Sequence, residues 1–227
     1  MVVVVDEIRY FENKNSVDVL GFDMGVCKEE LRIPDCIHNK PVTGILANAF
    51  YKTNIISVYL PDTITFIGPK AFADCKYLES VQIGQFEQKT VNKSVDISTQ
   101  AFAGCSELKE VSIFSTLATV GKHAFSDCSN LSFVDIEILH LSEYAFHNCH
   151  NISVLCLGEN CVLGKNSLND CSVKTLAAIK NVHFLDGILD FIFKNDICIW
   201  CYPNSPILDL VYAGYRIELY HGGNCAC

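Results

Sequence analysis

Ala71-Phe72-Ala73-Asp74-Cys75-Lys76-Tyr77-Leu78-Glu79-Ser80-Val81-Gln82-Ile83 recurs along this chain. As a template it reads A-F-x-x-C-x-x-L-x-x-V-x-I. Residues 101–113, 124–136 and 145–157 keep the spacing, with Phe102, Phe125 and Phe146 in the aromatic slot and Cys105, Cys128 and Cys149 in the cysteine slot. Two degenerate copies flank these four. Residues 49–60 carry Thr53 for the cysteine, and residues 167–178 carry Leu168 for the phenylalanine; each is one residue short before its strand.

The second half of each unit repeats as well. Apolar residues follow the strand, then a turn such as Ile67-Gly68-Pro69-Lys70 or Val120-Gly121-Lys122-His123, then the next Ala-Phe. From Phe50, the aromatic-slot steps are 22, 30, 23 and 21 residues, and 22 more to Leu168. The long step holds an insertion near 84–94. A period in the low twenties denotes a solenoid whose units cannot bury their apolar face alone. Within a unit, L-x-x-V-x-I alternates inward and outward as a strand does, so stacking makes a parallel sheet on one face. Phe stacks on Phe at the opposite corner.

This reading sets the organisation: an N-terminal cap over 1–45, repeats over 46–180, and a degenerate last coil with a C-terminal cap over 181–227. In the first, 8–11 and 16–22 alternate around Asn13-Lys14-Asn15, which predicts a hairpin. In the last, one or two strands are expected within 181–194 and another over 197–202. A helix opening at Ser205-Pro206 and closing at Gly214 follows, with a final strand over 216–220. Caps are a physical requirement, since a bare end coil exposes core and strand edge.

The chain has 227 residues, half of them hydrophobic, enough for one large core. A formal charge of −9 argues against nucleic acid and anionic membrane surfaces, which want a basic patch. No apolar run approaches the ~18 residues of a spanning helix, and Met1-Val2-Val3-Val4-Val5 is too short for a signal-peptide core. Thirteen cysteines are an odd number. Cys75, Cys105, Cys128, Cys149 and Cys171 share one slot, and coils ~4.8 Å apart with parallel Cα–Cβ vectors do not suit disulfides. They are expected as a column of buried free thiols.

The template resembles the BspA-type leucine-rich repeats, whose hallmark is nearly literal at Ile67-Gly68-Pro69-Lys70-Ala71-Phe72-Ala73-Asp74-Cys75 and at Leu60-Pro61. The resemblance covers roughly 8–220. The usual proline after the strand is present only at Pro61, and the 84–94 insertion is not part of the repeat. The resemblance implies a right-handed leucine-rich-repeat solenoid of about six repeats, capped at both ends. It further implies a non-enzymatic adhesion or ligand-recognition module at the cell surface or secreted; a monomer is expected. The absence of an export signal and the unpaired cysteines point instead to an intracellular scaffold, and both readings stay open.

Binding is expected on outward strand positions: Tyr59, Gln82, Glu110, Ser112, Phe114, Phe133, Asp135 and Glu137. Phe114 and Phe133 are expected side by side, ringed by the three carboxylates, as suits a protein-binding hot spot. A solvated face with chance aromatics is the plainer alternative. Cys198-x-x-Cys201 with Cys225-x-Cys227 hints at zinc or a redox pair, but Ile199 and Trp200 are unlike the usual turn residues of such a loop. His147-Asn148-Cys149-His150 looks ligand-rich, yet Cys149 belongs to the column. No cofactor or metal is expected. No nucleophile elbow, phosphate loop or zinc-protease motif is present, so no enzyme activity is expected.

Overall fold

A computed structural model describes residues 1–84, 93–178, 183–184, 188–201 and 217–219. The chain opens with three antiparallel strands, β1 (Val2–Val5), β2 (Ile8–Glu12) and β3 (Val17–Phe22), the latter two flanking the expected Asn13–Asn15 turn. Coil one then contributes β4 (Glu30–Arg32), a short β5 (Cys36–Ile37) and β6 (Lys40–Ile45). Coil two has β7 (Ser57–Leu60) and β8 (Phe66–Ile67); coil three has β9 (Ser80–Ile83) and β10 (Lys93–Ile97). In coils four to six the two strands merge into β11 (Glu110–Val120), β12 (Phe133–Leu141) and β13 (Val154–Leu163). Coil seven has β14 (Thr175–Ala178), β15 (His183–Phe184) and helix α1 (Ile188–Lys194), followed by β16 (Cys198–Cys201) and β17 (Ile217–Leu219). The molecule is a β-solenoid of about seven turns.

Two parallel ladders run along it, one more than the repeat pattern suggests. The V-x-I segments pair as β4, β7, β9, β11 and β12, and again as β13, β14, β16 and β17. The apolar residues of the second half form their own ladder through β3, β6, β8, β10, β11, β12, β13 and β15. Between the two lies the Ala-Phe corner, which is also bonded from coil to coil. The amides of Phe50, Phe72, Phe102 and Phe125 donate to the carbonyls of Ala71, Ala101, Ala124 and Ala145 at 2.7–2.8 Å. Backbone groups on all three sides thus find partners in the adjacent coil, as buried peptide groups require.

The corner bends because two slots in each unit take left-handed backbone. One precedes Ala-Phe: Asn48, Lys70, Gln100, His123, Tyr144 and Asn166 have φ of 55–57°. The other lies two residues after Phe: Lys52, Asp74, Gly104, Asp127, Asn148 and Asp170, with φ of 55–74°. Asp, Asn and Gly dominate the second slot because they tolerate this region best. The slot after the second strand is small, as Gly68, Ser98, Gly121, Ser142 and Gly164, because the preceding coil is close. A Cβ at Gly121 would stand 2.8 Å from the Ile97 carbonyl oxygen.

The aromatic column forms as expected. Phe50, Phe72, Phe102, Phe125 and Phe146 are fully buried, with successive ring centroids 5.1–5.2 Å apart and planes within 14° of parallel. Phe22 closes the N-terminal end of this stack edge-on to Phe50 at 5.0 Å. Beside it runs the cysteine column, free thiols throughout: Cys75, Cys105, Cys128, Cys149 and Cys171. These thiols are more than small apolar fillers. Cys75, Cys105, Cys128 and Cys149 donate to the carbonyls of Phe50, Phe72, Phe102 and Phe125 in the preceding coil at 3.0–3.2 Å. Thr53 fits the same slot in coil one because its hydroxyl bonds the Phe50 carbonyl at 2.9 Å and meets the Cys75 sulfur at 3.3 Å. Cys171 instead bonds Leu168 of its own coil.

The region 181–194 holds one of the one or two strands expected there, and a helix besides. Within 181–194, β15 is a strand, but Ile188–Lys194 is helical. Ile192 is buried and its neighbour Phe193 exposed, while Asp190 in the first turn and Lys194 in the last suit the helix dipole. The helix expected after Ser205 lies outside the described residues. The expected strand over 216–220 coincides with β17.

Two outcomes are expected. Phe125→Ala leaves a cavity in the stack and lowers unfolding free energy by about 3–5 kcal/mol, read from urea denaturation; a loss below about 1 kcal/mol contradicts the packing. Burial pushes Cys161 up to about 12 and Cys171 to about 11, and raises Cys75, Cys105, Cys128 and Cys149 as well. A thiol with a raised folded pKa contributes stability that is present below the unfolded value and lost as pH rises through the folded one. Stability therefore falls above about pH 9, by as much as ~1.4 kcal/mol per pH unit for each such thiol. A flat profile from pH 8 to 11 contradicts the buried column.

Candidate functional site

The first ladder sets candidate side chains in rows, because parallel pairing places equivalent residues side by side ~4.8 Å apart. One row runs Arg32, Tyr59, Gln82, Ser112 and Asp135; the row beside it runs Glu30, Ser57, Ser80, Glu110 and Phe133. Six of the eight expected residues thus come together on β7, β9, β11 and β12. Phe133 is 43% exposed and stands in register with the exposed Glu110. Tyr59, Gln82 and Asp135 are half-buried.

Three expected placements are corrected. Ser112 is only 2% exposed, with its hydroxyl donating to Glu110 Oε1 at 3.2 Å. A short side chain between Gln82 and Asp135 is shaded by both. Phe114 and Glu137 do not share a row. The β11–β12 register jumps from Ser112–Asp135 to Leu117–Glu137, so β11 bulges by three residues relative to β12. Phe114 falls in this bulge, half-buried, and Glu137 joins the second ladder.

The face also holds residues outside the expected set. The Arg32 guanidinium lies over the Tyr59 ring at 3.9 Å and pairs with Glu30, which raises its pKa. A cation so placed is attracted to the negative face of the ring. The signal was the alternation Glu30-Leu31-Arg32, in which the fully buried Leu31 occupies the inward strand slot. Along the margin are exposed Ile56 and Tyr77 and the Lys109–Glu79 pair at 3.0 Å.

A second cluster lies on the corner of coils four to six. The His123 ring stacks on Tyr144 at 5.2 Å, and His147 stands edge-on to both at 6.4 and 5.8 Å. Asn166 donates to the Tyr144 hydroxyl at 3.0 Å, and His147 Nδ1 is 3.3 Å from Asp170 Oδ2. These are variable turn slots in the template. His123, Tyr144 and Asn166 meet because the left-handed position before each Ala-Phe corner aligns from coil to coil, and His147 stands beside that row.

No three His, Cys, Asp or Glu side chains converge as metal ligands among the described residues. Cys198 and Cys201 are both buried, at 4% and 0% exposure, and Cys156 is disulfide-bonded. Cys225 and Cys227 lie outside the described residues. No helix among the described residues is long and apolar enough to cross a membrane.

The sequence matches the family described as BspA type Leucine rich repeat region (6 copies) over residues 43–95 and 85–196. No curated protein matches the chain. Among solved structures, a leucine-rich repeat protein from Bacteroides capillosus is 26% identical over 60% of this chain and 98% of its own, with a TM-score of 0.48. A leucine rich cell surface protein from Faecalibacterium prausnitzii is 23% identical over 78% of this chain, with a TM-score of 0.53. The match spans 54% of that protein's length. A leucine-rich repeat protein of T. pallidum is 16% identical over 85% of this chain and 95% of its own, with a TM-score of 0.54. The likeness to the last two is one of fold.

Burial, then Lys122 and His147, hold the His123 pKa below the usual imidazole range. A base with a depressed folded pKa contributes stability that is present above its unfolded value, about 6.5, and lost as pH falls. Unfolding free energy should therefore decline from pH 7 toward 5, and His123→Gln should flatten that decline. An unchanged slope in the variant contradicts this environment.

Proposed function

Since the chain belongs to the BspA type leucine-rich repeat family, we propose that it is a non-enzymatic module that binds a protein or cell-surface ligand through the β7–β12 face. One observation carries the reading: two register-locked rows juxtapose an arginine-covered Tyr59, an exposed Phe133, and the amide and carboxylates of Gln82, Glu110 and Asp135. Aromatic anchors within a polar rim are the composition of binding hot spots. A sheet held by its neighbouring coils presents such anchors already ordered, which lowers the entropy cost of binding.

The same chemistry supports work at the cell surface. The thiol column does not argue otherwise, because burial keeps it from the reactive thiolate form. The structural neighbour described as a cell surface protein agrees with this placement.

The test is capture of biotin-labelled surface proteins from intact cells by the immobilised chain, compared with a Tyr59→Ser/Phe133→Ser variant. Loss of each hot-spot aromatic costs ~2 kcal/mol or more, so retention should fall at least ~30-fold for each. Equal capture by both proteins overturns the assignment to this face. Loss of capture on His147→Ala alone moves the site to the corner cluster.

A further inference from the structure

The two ladders end differently at the N-terminal end of the solenoid. Among the described residues the first ends on β4, only three residues long and charged, with Glu30 and Arg32 paired to each other. Short, charged strands are how proteins stop a sheet from growing. The second ladder continues through β3 and β2 to β1, and among the described residues β1 pairs only with β2. Its residues are Val2, Val3, Val4 and Val5, without charge, proline or bulge.

The register shows which groups this edge offers. Met1 and Glu12 exchange both backbone hydrogen bonds, at 2.9 and 2.7 Å. In an antiparallel pair such exchanges alternate, so Val3 and Val5 bond β2 while the amides and carbonyls of Val2 and Val4 point outward. The turn at Asp6-Glu7, with φ of 49° and 66°, agrees: two left-handed residues make the tight hairpin loop that closes on Val5 and Ile8. Val2 and Val4 also expose their side chains, at 56% and 53%, on the face where Phe11, opposite Val2, is 41% exposed.

We propose that β1 is a dimerisation edge whose occupant is β1 of a second copy of this chain, antiparallel about a two-fold axis at Val3. The pattern is self-complementary. Val2 meets Val4 of the other copy, and Val4 its Val2, with four outward donors and acceptors on each strand in phase. An axis perpendicular to the sheet keeps Phe11, Val2 and Val4 of both copies on one face, as an apolar strip bordered by the Arg9 opposite each Val4. No charge within the strand opposes another. The second ladder then runs unbroken through two solenoids joined at their N-terminal ends, and pairing closes at two copies because β1 is used up. The interface is isologous. Two four-residue strands bury less than the ~1,200 Å² of a standard interface, so the dimer is weak. This departs from the monomer expected of the sequence.

Sedimentation equilibrium of the full chain between about 5 and 500 μM, concentrations suited to a small interface, tests this. The weight-average mass should rise from 25.2 kDa toward twice that value. Val4→Pro should hold it at one chain with the far-UV spectrum and Tm unchanged, because the lost amide is the outward one and proline is tolerated on edge strands. Val2→Lys/Val4→Lys should do the same through charge, which guards against a fold defect particular to proline. Wild-type protein that stays monomeric throughout, mass growth past two chains, or a dimer that survives both variants overturns the proposal.

Discussion

The distance between coils governs this structure. Parallel strands lie ~4.8 Å apart, and the Phe rings stack at 5.1–5.2 Å. A side chain repeated in one slot can meet its own kind at this spacing with little adjustment. Backbone pairing on two sheets and at the corner sets the repeat distance; the Phe stack and the thiol bonds fill it. The left-handed residues cost roughly 1–2 kcal/mol each where they are not glycine. That cost is tolerated because the turn aims the next amide at the carbonyl of the adjacent coil. Each coil is therefore stabilised mainly by its neighbours, as expected of a one-dimensional stack.

Much of this was legible in the residues. The Ala, Phe, Cys, Leu, Val and Ile slots recur at fixed offsets, and recurrence is what a stacked core writes into a sequence. The left-handed slots left a fainter trace, Asp74, Asp127, Asn148 and Asp170 at one offset, hidden by Lys52 and by Gln100, His123 and Tyr144 at the other. The S–H···O=C bonds were not legible, because a buried cysteine looks the same whether its thiol donates or only packs. Thr53 was the clue, since a hydroxyl at a buried slot needs a partner. Helix α1 was missed because its seven residues fall where the period fades.

The candidate face was read less well, for a reason of geometry. Alternation along a strand states which residues point outward, but register between strands decides which of them meet. Up to Ser112 and Asp135 the template carried the register correctly, so Tyr59, Gln82, Glu110, Phe133 and Asp135 fell where expected. Just past that point β11 takes three more residues than β12 before pairing resumes at Leu117–Glu137, and the template placed Phe114 against the wrong neighbour. Ser112 shows the other limit: a position can point outward and still be covered when longer side chains stand on both sides.

The division between core and face also explains why the fold is far easier to read than the ligand. Exchange of a core residue disturbs two stacked neighbours and the backbone bonds they support. Exchange of Phe133 or Gln82, which point outward, disturbs no such stack. The repeat therefore restricts the inward slots in every coil while leaving the outward ones chemically independent. Among the described residues, Arg32 over Tyr59 is a local arrangement that no other coil repeats, and so is the His123–Tyr144–His147 cluster. Features without a counterpart at the next period are the ones the stack does not require for its own stability. On a solenoid, those departures from repetition are where recognition chemistry has room to differ.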